Sequence, residues 1–143
     1  MNVLIDTNVI LDVILKREPH FAASYQILNL AVQDKLHVMI TVSCVTDIYY
    51  LLRKSGMDDS TTRNALSQLF VFAKLADVRA DDIHNALSSS VADFEDAVIV
   101  EVANRNSCHS IITRNVKDFV ESDIPAIEPV KFIDTYKPSS YGI

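Results

Sequence analysis

The sequence predicts an α/β fold in which helices cover both faces of a parallel sheet. Short apolar runs rich in β-branched residues, such as "NVLI" (2–5), "HVMITV" (37–42) and "HSIIT" (109–113), alternate with longer stretches of helical periodicity along the whole chain. Parallel strands need crossover connections, and those connections place helices on both sheet faces. No internal repeat and no linker interrupts the 143 residues. The expectation is therefore a single domain over 1–143, with 136–143 ("YKPSSYGI") as a loose tail.

The elements follow in order. "NVLI" reads as a buried strand. "DTNVILDVILKR" (6–17) has helical spacing at Val9, Ile10, Val13 and Ile14, with Asp6 or Thr7 as cap and Pro19 closing it. Residues 20–35 repeat apolar positions as a second amphipathic helix, and 37–42 form the second strand. Ser43 is expected to cap a helix over 44–54, which ends in a basic turn and Gly56, as the helix dipole favours. A helix over 58–74, a weak strand over 75–80 and a short helix over 81–90 come next. The helix over 93–106 is apolar around most of its circumference, which places it centrally. A strand at 109–113, a helical turn at 114–120 and a last short strand within 126–136 complete the chain.

Composition narrows the function classes. With only two glycines, no phosphate-cradling loop of the dinucleotide or P-loop type can be built. Cys44 and Cys108 lie far apart and the four histidines form no ligand pattern, so reduced, buried cysteines and no zinc site are expected. No apolar run reaches the roughly 18 residues a membrane span needs. The N-terminus lacks a basic segment and a cleavage site, and the expectation is a cytoplasmic protein without membrane association. The formal charge of −6 opposes generic nucleic-acid binding, which draws on Lys and Arg.

Acidic residues fall where an open α/β sheet binds ligands, at the carboxyl ends of its strands. Asp6 follows the first strand, Asp47 lies one turn into the helix after the second, and Asn115 and Asp118 follow "SIIT". Asp93 and Asp96 open the central helix; three apart, they should share a face, with Glu95 pointing elsewhere. Acids converging on one crevice raise one another's pKa, and a divalent cation with hard oxygen ligands, Mg²⁺ or Mn²⁺, removes that conflict. Each residue also has a plainer reading. Asp6, Asp93 and Asn115 can be helix caps, Asp96 a charge facing the dipole, and Asp47 and Asp118 solvated surface charges. Thr7 and Asn8 can be helix-start residues, or can hold a carboxylate or a water. Co-location at one sheet edge is what sets the group apart.

"VLIDTNVILDVIL", "VTDIYYLLRK", "DFEDAVIVEVA" and "SIITRNVKDF" resemble, in order and spacing, the four signature segments of the PIN-domain family. The likeness spans residues 2–119, and this variant resembles bacterial toxins of toxin–antitoxin pairs. It implies a three-layer α/β/α sandwich and a Mg²⁺- or Mn²⁺-dependent ribonuclease whose products carry a 5′-phosphate and a 3′-hydroxyl. It also implies a catalytic set of Asp6, Asp47, Asp93, Asp96, Asn115 and Asp118, with Asp6, Asp96, Asp93 and Asp118 as metal ligands. Two positions depart from the family pattern. Asp47 stands where Glu is usual and reaches less far, and Asn115 replaces an acid and brings no charge.

Thr7, Asn8 and Thr113 are candidates to hold a carboxylate or a phosphate oxygen. Among the local cations, which include Lys16 and Arg17, Arg114 and Lys117 flank the fourth segment and are the expected phosphate contacts. Tyr49 and Tyr50 either stack bases or pack in the core or at an interface. The expected partners are RNA, an inhibitory antitoxin protein and a second copy of the chain. Ile48, Leu51, Leu69 and Phe70 would serve as a dimer face or as core. A catalytically impaired PIN-like module that binds RNA or protein remains the main alternative. A haloacid-dehalogenase phosphatase would want an acid where Asn8 stands, and a receiver-like module would place its acceptor after a middle strand.

Overall fold

The computed structural model describes residues 1–136. Five parallel strands form one sheet: β1 (Asn2–Ile5), β2 (His37–Thr41), β3 (Lys74–Ala76), β4 (Ser110–Ile112) and β5 (Ala126–Ile127), in the order β3-β2-β1-β4-β5. Val3, Leu4 and Ile5 are each fully buried. Consecutive residues of a strand point to opposite faces, so both faces of the sheet are covered.

The covering helices are α1 (Thr7–Ile14), α2 (Phe21–Val32), α3 (Val42–Lys54), α4 (Asp59–Phe72), α5 (Ala80–Leu87), α6 (Phe94–Arg105) and α7 (Pro129–Thr135), with a 3₁₀ turn at Val116–Phe119. Helix α1 packs on α2 and α3, α3 on α4 and α2 on α7, while α5 and α6 pack on each other. Crossovers between parallel strands are right-handed as a rule, so the β1–β2–β3 connections and the returning β3–β4 connection carry these two helix groups to opposite faces. The expected parallel sheet between helical layers is therefore present. Helix α6 buries Ala97, Val98, Ile99, Val100, Val102 and Ala103, most of its circumference, as its composition indicated.

Several boundaries differ from expectation for local reasons. Helix α1 ends at Ile14 because Lys16 turns into the left-handed region (φ 52°), before Pro19 is reached. Helix α3 starts directly from β2 with Thr41, not Ser43, at its cap position; the Thr41 hydroxyl bonds Ser43 Oγ (2.9 Å) and Cys44 Sγ (3.0 Å) instead. Strand β3 is only three residues long, since Asp77 and Arg79 leave the sheet to pair with each other and, for Asp77, with Arg105. Helix α7 was not anticipated. Pro129 opens its first turn, where a missing N–H costs nothing. The expected tail lies, from residue 137, outside the described residues. Tyr136 itself is fixed: it stacks on Phe132 and donates to the Lys35 carbonyl (2.6 Å).

Arg105 at the end of α6 ties down the start of α5 through Asp82 (2.8 Å), which is nearly fully buried. The Arg105 guanidinium holds the Asp82 carboxyl below its ordinary range. Both cysteines are free and buried. Ile48 and Leu69 belong to the core, Phe70 packs against it, and Leu51 remains partly exposed. Among the described residues, no helix is long and apolar enough to cross a membrane.

Candidate active site

Strand β1 sits at the centre of the sheet; the chain leaves β1 toward β2 on one side, and leaves β4, its neighbour on the other side, toward β5 in the opposite direction. Such a switch point opens a crevice at the carboxyl ends of the strands. A cleft of about 480 Å³ lies there, and its walls include Asp6, Asn8, Asp47, Glu95, Asp96 and Asn115.

Asp6 is the fixed point. Its N–H continues the sheet by donating to the Ile112 carbonyl (3.0 Å). One carboxylate oxygen accepts from the Thr7 N–H (2.8 Å) and the other from Thr113 Oγ1 (2.8 Å) and Asn8 Nδ2 (3.2 Å). Thr113 also accepts from the Asn115 N–H (3.0 Å), and Asn8 Oδ1 accepts from the Arg114 N–H (3.2 Å). The ends of β1 and β4 are thereby locked around one carboxylate. Burial raises the Asp6 pKa against the opposing pull of these hydrogen bonds, with the Asp118 charge adding to the rise.

Asp96 shares the cleft with Asp6 although the two are distant in sequence. Among the described residues nothing hydrogen-bonds its carboxylate, whereas its backbone N–H donates to Asp93 (3.0 Å). Burial, followed by the charges of Asp6, Asp93, Asp118 and Glu95, pushes its pKa up to about 7. Glu95 is also raised, first by a hydrogen bond with Asp47, then by burial and by the Asp47, Asp93 and Asp6 charges. Glu95 and Asp47 thus face each other as like charges on the cleft wall.

The placement of Glu95 and Asp93 reverses the expectation. Asp93 lies outside the helix, with extended backbone (φ −91°, ψ 129°), and its side chain caps α6. The three-apart rule for a helix face therefore does not govern it. Asp93 lines a separate cavity of about 140 Å³ with Lys117 and Asp118. None of the three lines the main cleft; Asp93 and Asp118 act on Asp96 through their charges. Glu95, by contrast, reaches the cleft from the second position of α6. Its extra methylene, facing the short Asp47, is the signal in the sequence that would have found it.

Among the described residues, no three His, Cys, Asp or Glu side chains lie close enough together to form a ready-made cation site. The donor chemistry nonetheless suits a hard cation. Asp6 has spare lone-pair capacity and a fixed orientation, Asp96 has no competing donor, and the Asn115 side chain makes no capping bond. Burial first, and then the neighbouring carboxylates, disfavour the charged form of Asp96, and a bound cation would offset both.

Cations stand at the rim. Arg114 and Arg17 line the cleft, and both are held by Asp12, a carboxylate with no exposure at all. Tyr50, well exposed, lines the same cleft, while Tyr49 donates to Asp59 and accepts from Arg53 (3.0 Å) away from it.

A family model described as PIN domain matches residues 2–117. Ribonuclease VapC1 of Aquifex aeolicus (strain VF5) is 22% identical over 138 residues, spanning 94% of each chain. VapBC2 from Rickettsia felis, solved bound to a DNA fragment from its promoter, superposes with a TM-score of 0.71 at 17% identity, over 90% of this chain and 98% of that one. VapC20 of Mycobacterium tuberculosis, described as a sarcin–ricin loop cleaving toxin, superposes with a TM-score of 0.64 at 13% identity, over 86% and 98%. At such identities the structural likenesses speak for the fold.

Proposed function

The chain belongs to the PIN domain family, and on that premise we propose that it is a divalent-metal-dependent endoribonuclease, the toxin of a toxin–antitoxin pair. The observation that carries the reading is the meeting of Asp6 and Asp96 in one cleft, with Asp47 and Glu95 on its walls. The ribonuclease identity of VapC1 and the RNA-cleaving description of VapC20 support the same activity. The antitoxin partner is inferred from VapBC2, a toxin–antitoxin assembly.

In this reading Asp6 and Asp96 hold Mg²⁺ or Mn²⁺, with Asn115 as a neutral oxygen donor and Asp93 and Asp118 adding negative field. The ion would supply Lewis acidity and lower the pKa of a water at neutral pH. The rest is the work of the chain. Thr7, Asn8 and Thr113 keep Asp6 from rotating, so the site is ordered before RNA arrives. Asp96 must lose its proton to bind the ion, so the apparent metal affinity rises with pH up to about 7. Tyr50 offers an exposed ring for a base of single-stranded RNA to stack on.

The test is cleavage of a labelled single-stranded RNA with and without Mn²⁺, beside the Asp6→Asn, Asp96→Asn double variant. Cutting that needs Mn²⁺ and is lost in the variant is the expected outcome. Equal cutting by both proteins would mark a contaminant and remove the site assignment. RNA binding with no cutting by either would favour an impaired binding module, the reading that the short Asp47 and the neutral Asn115 favour.

A further inference from the structure

Asp12 is fully buried within α1 and carries two arginines. Arg114 Nε and Nη2 donate to its two carboxylate oxygens (2.6 and 3.2 Å), and Arg17 Nε donates to one of them (2.9 Å). Arg17 also reaches the Asn8 carbonyl (3.5 Å). The guanidiniums are not consumed by this contact. Arg17 is 41% and Arg114 30% exposed, each lines the cleft, and among the described residues neither Nη1 makes a hydrogen bond. Two arginines against one carboxylate leave a net charge of +1 on a wall otherwise lined by Asp6, Asp47, Glu95 and Asp96. A purely structural tie between α1 and the loop after β4 would need one arginine and would leave no excess charge facing the opening.

We propose that Asp12, Arg17 and Arg114 form a phosphate clamp, in which Arg17 and Arg114 contact the RNA backbone next to the scissile phosphate and Asp12 is the positioning residue that fixes both. The proposal rests on the ribonuclease reading and assigns Arg17 and Asp12 a part in it. The clamp gives a chain of net charge −6 a pre-oriented positive group at the rim of the cleft, where a polyanion can be received. Planar guanidiniums whose stems are already held lose little entropy on binding an oxygen pair.

Arg17 is exposed enough to replace without opening the core, so Arg17→Gln is the primary variant. Steady-state cleavage of single-stranded RNA in Mn²⁺ is expected to show KM raised about five- to tenfold, as for loss of one charge-assisted contact, with kcat within about twofold. The dependence of log(kcat/KM) on log[salt] becomes shallower by about 0.7, the value for one phosphate contact on a single strand. Arg17→Lys restores the salt slope and part of the KM. Asp12→Asn, assayed well below its own melting temperature, raises KM at least as much as Arg17→Gln. Arg63→Gln, on the outer face of α4 and 73% exposed, removes the same charge without these effects. If the unaltered protein cuts RNA and Arg17→Gln loses stability with KM and salt slope unchanged, the clamp is a structural tie and the proposal is overturned. If the unaltered protein cuts no RNA in Mn²⁺, the ribonuclease reading falls first and the clamp with it.

Discussion

Asp96→Asn is expected to abolish Mn²⁺-dependent RNA cleavage, by on the order of 10³-fold, and at the same time to stabilise the metal-free protein at neutral and alkaline pH. The two effects have one cause. Asp96 is pushed to about 7 by burial and then by the charges of Asp6, Asp93, Asp118 and Glu95. A carboxyl whose pKa rises on folding binds a proton more tightly in the native state than in the unfolded one. Its stabilising contribution is complete below the ordinary aspartate range and is lost as pH climbs through about 7. Asparagine carries no charge to repel, so the difference in melting temperature between Asp96→Asn and the unaltered protein should widen in the variant's favour from pH 4 to pH 7. It should level off above that, at a few degrees. Thermal melts in a chelator at several pH values measure this directly. A variant that loses activity and also loses stability at every pH would mean that Asp96 supports the fold rather than a cation.

Asp12→Ala is expected to cost about 3 kcal/mol of stability, near the lower end of what breaking a buried ion pair costs. Asp12 is fully buried, but the arginines it pairs with retain access to water and can recover part of their solvation. For a domain of this size the change corresponds to a melting temperature lower by about 10 °C. Urea denaturation of the two proteins gives the number. A difference within about 1 kcal/mol would show that the Asp12 contacts are weak, as exposed pairs are.

These two residues mark how far the sequence could be read. The alternation of strands and helices, and the central place of α6, were legible because burial on both sheet faces leaves continuous apolar runs such as "NVLI". Helix α7 was not, because Pro129 signals both a break and a helix start, and only the packing of Phe132 decides between them. At the site, Asp6 and Asp96 could be placed because each sits at an element boundary whose position topology fixes. Glu95 and Asp93 could not be ranked, since at a helix start the direction of a side chain depends on whether its residue is the cap or the first turn. Asp12 gave no signal at all. It lies one position from the apolar stripe of α1, and its partner Arg114 is 102 residues away, a pairing that no local pattern reveals.

Acids from distant segments, brought to one sheet edge, are held there by a doubly charged ion: this is the claim on which the ribonuclease reading stands. Anomalous scattering from a crystal soaked in Mn²⁺ tests it most directly. The expected map has a Mn²⁺ peak in the cleft within bonding reach of the Asp6 and Asp96 carboxylates, and none in a crystal of Asp96→Asn. A peak that survives in Asp96→Asn, or a saturated soak with no peak between these two residues, would contradict it.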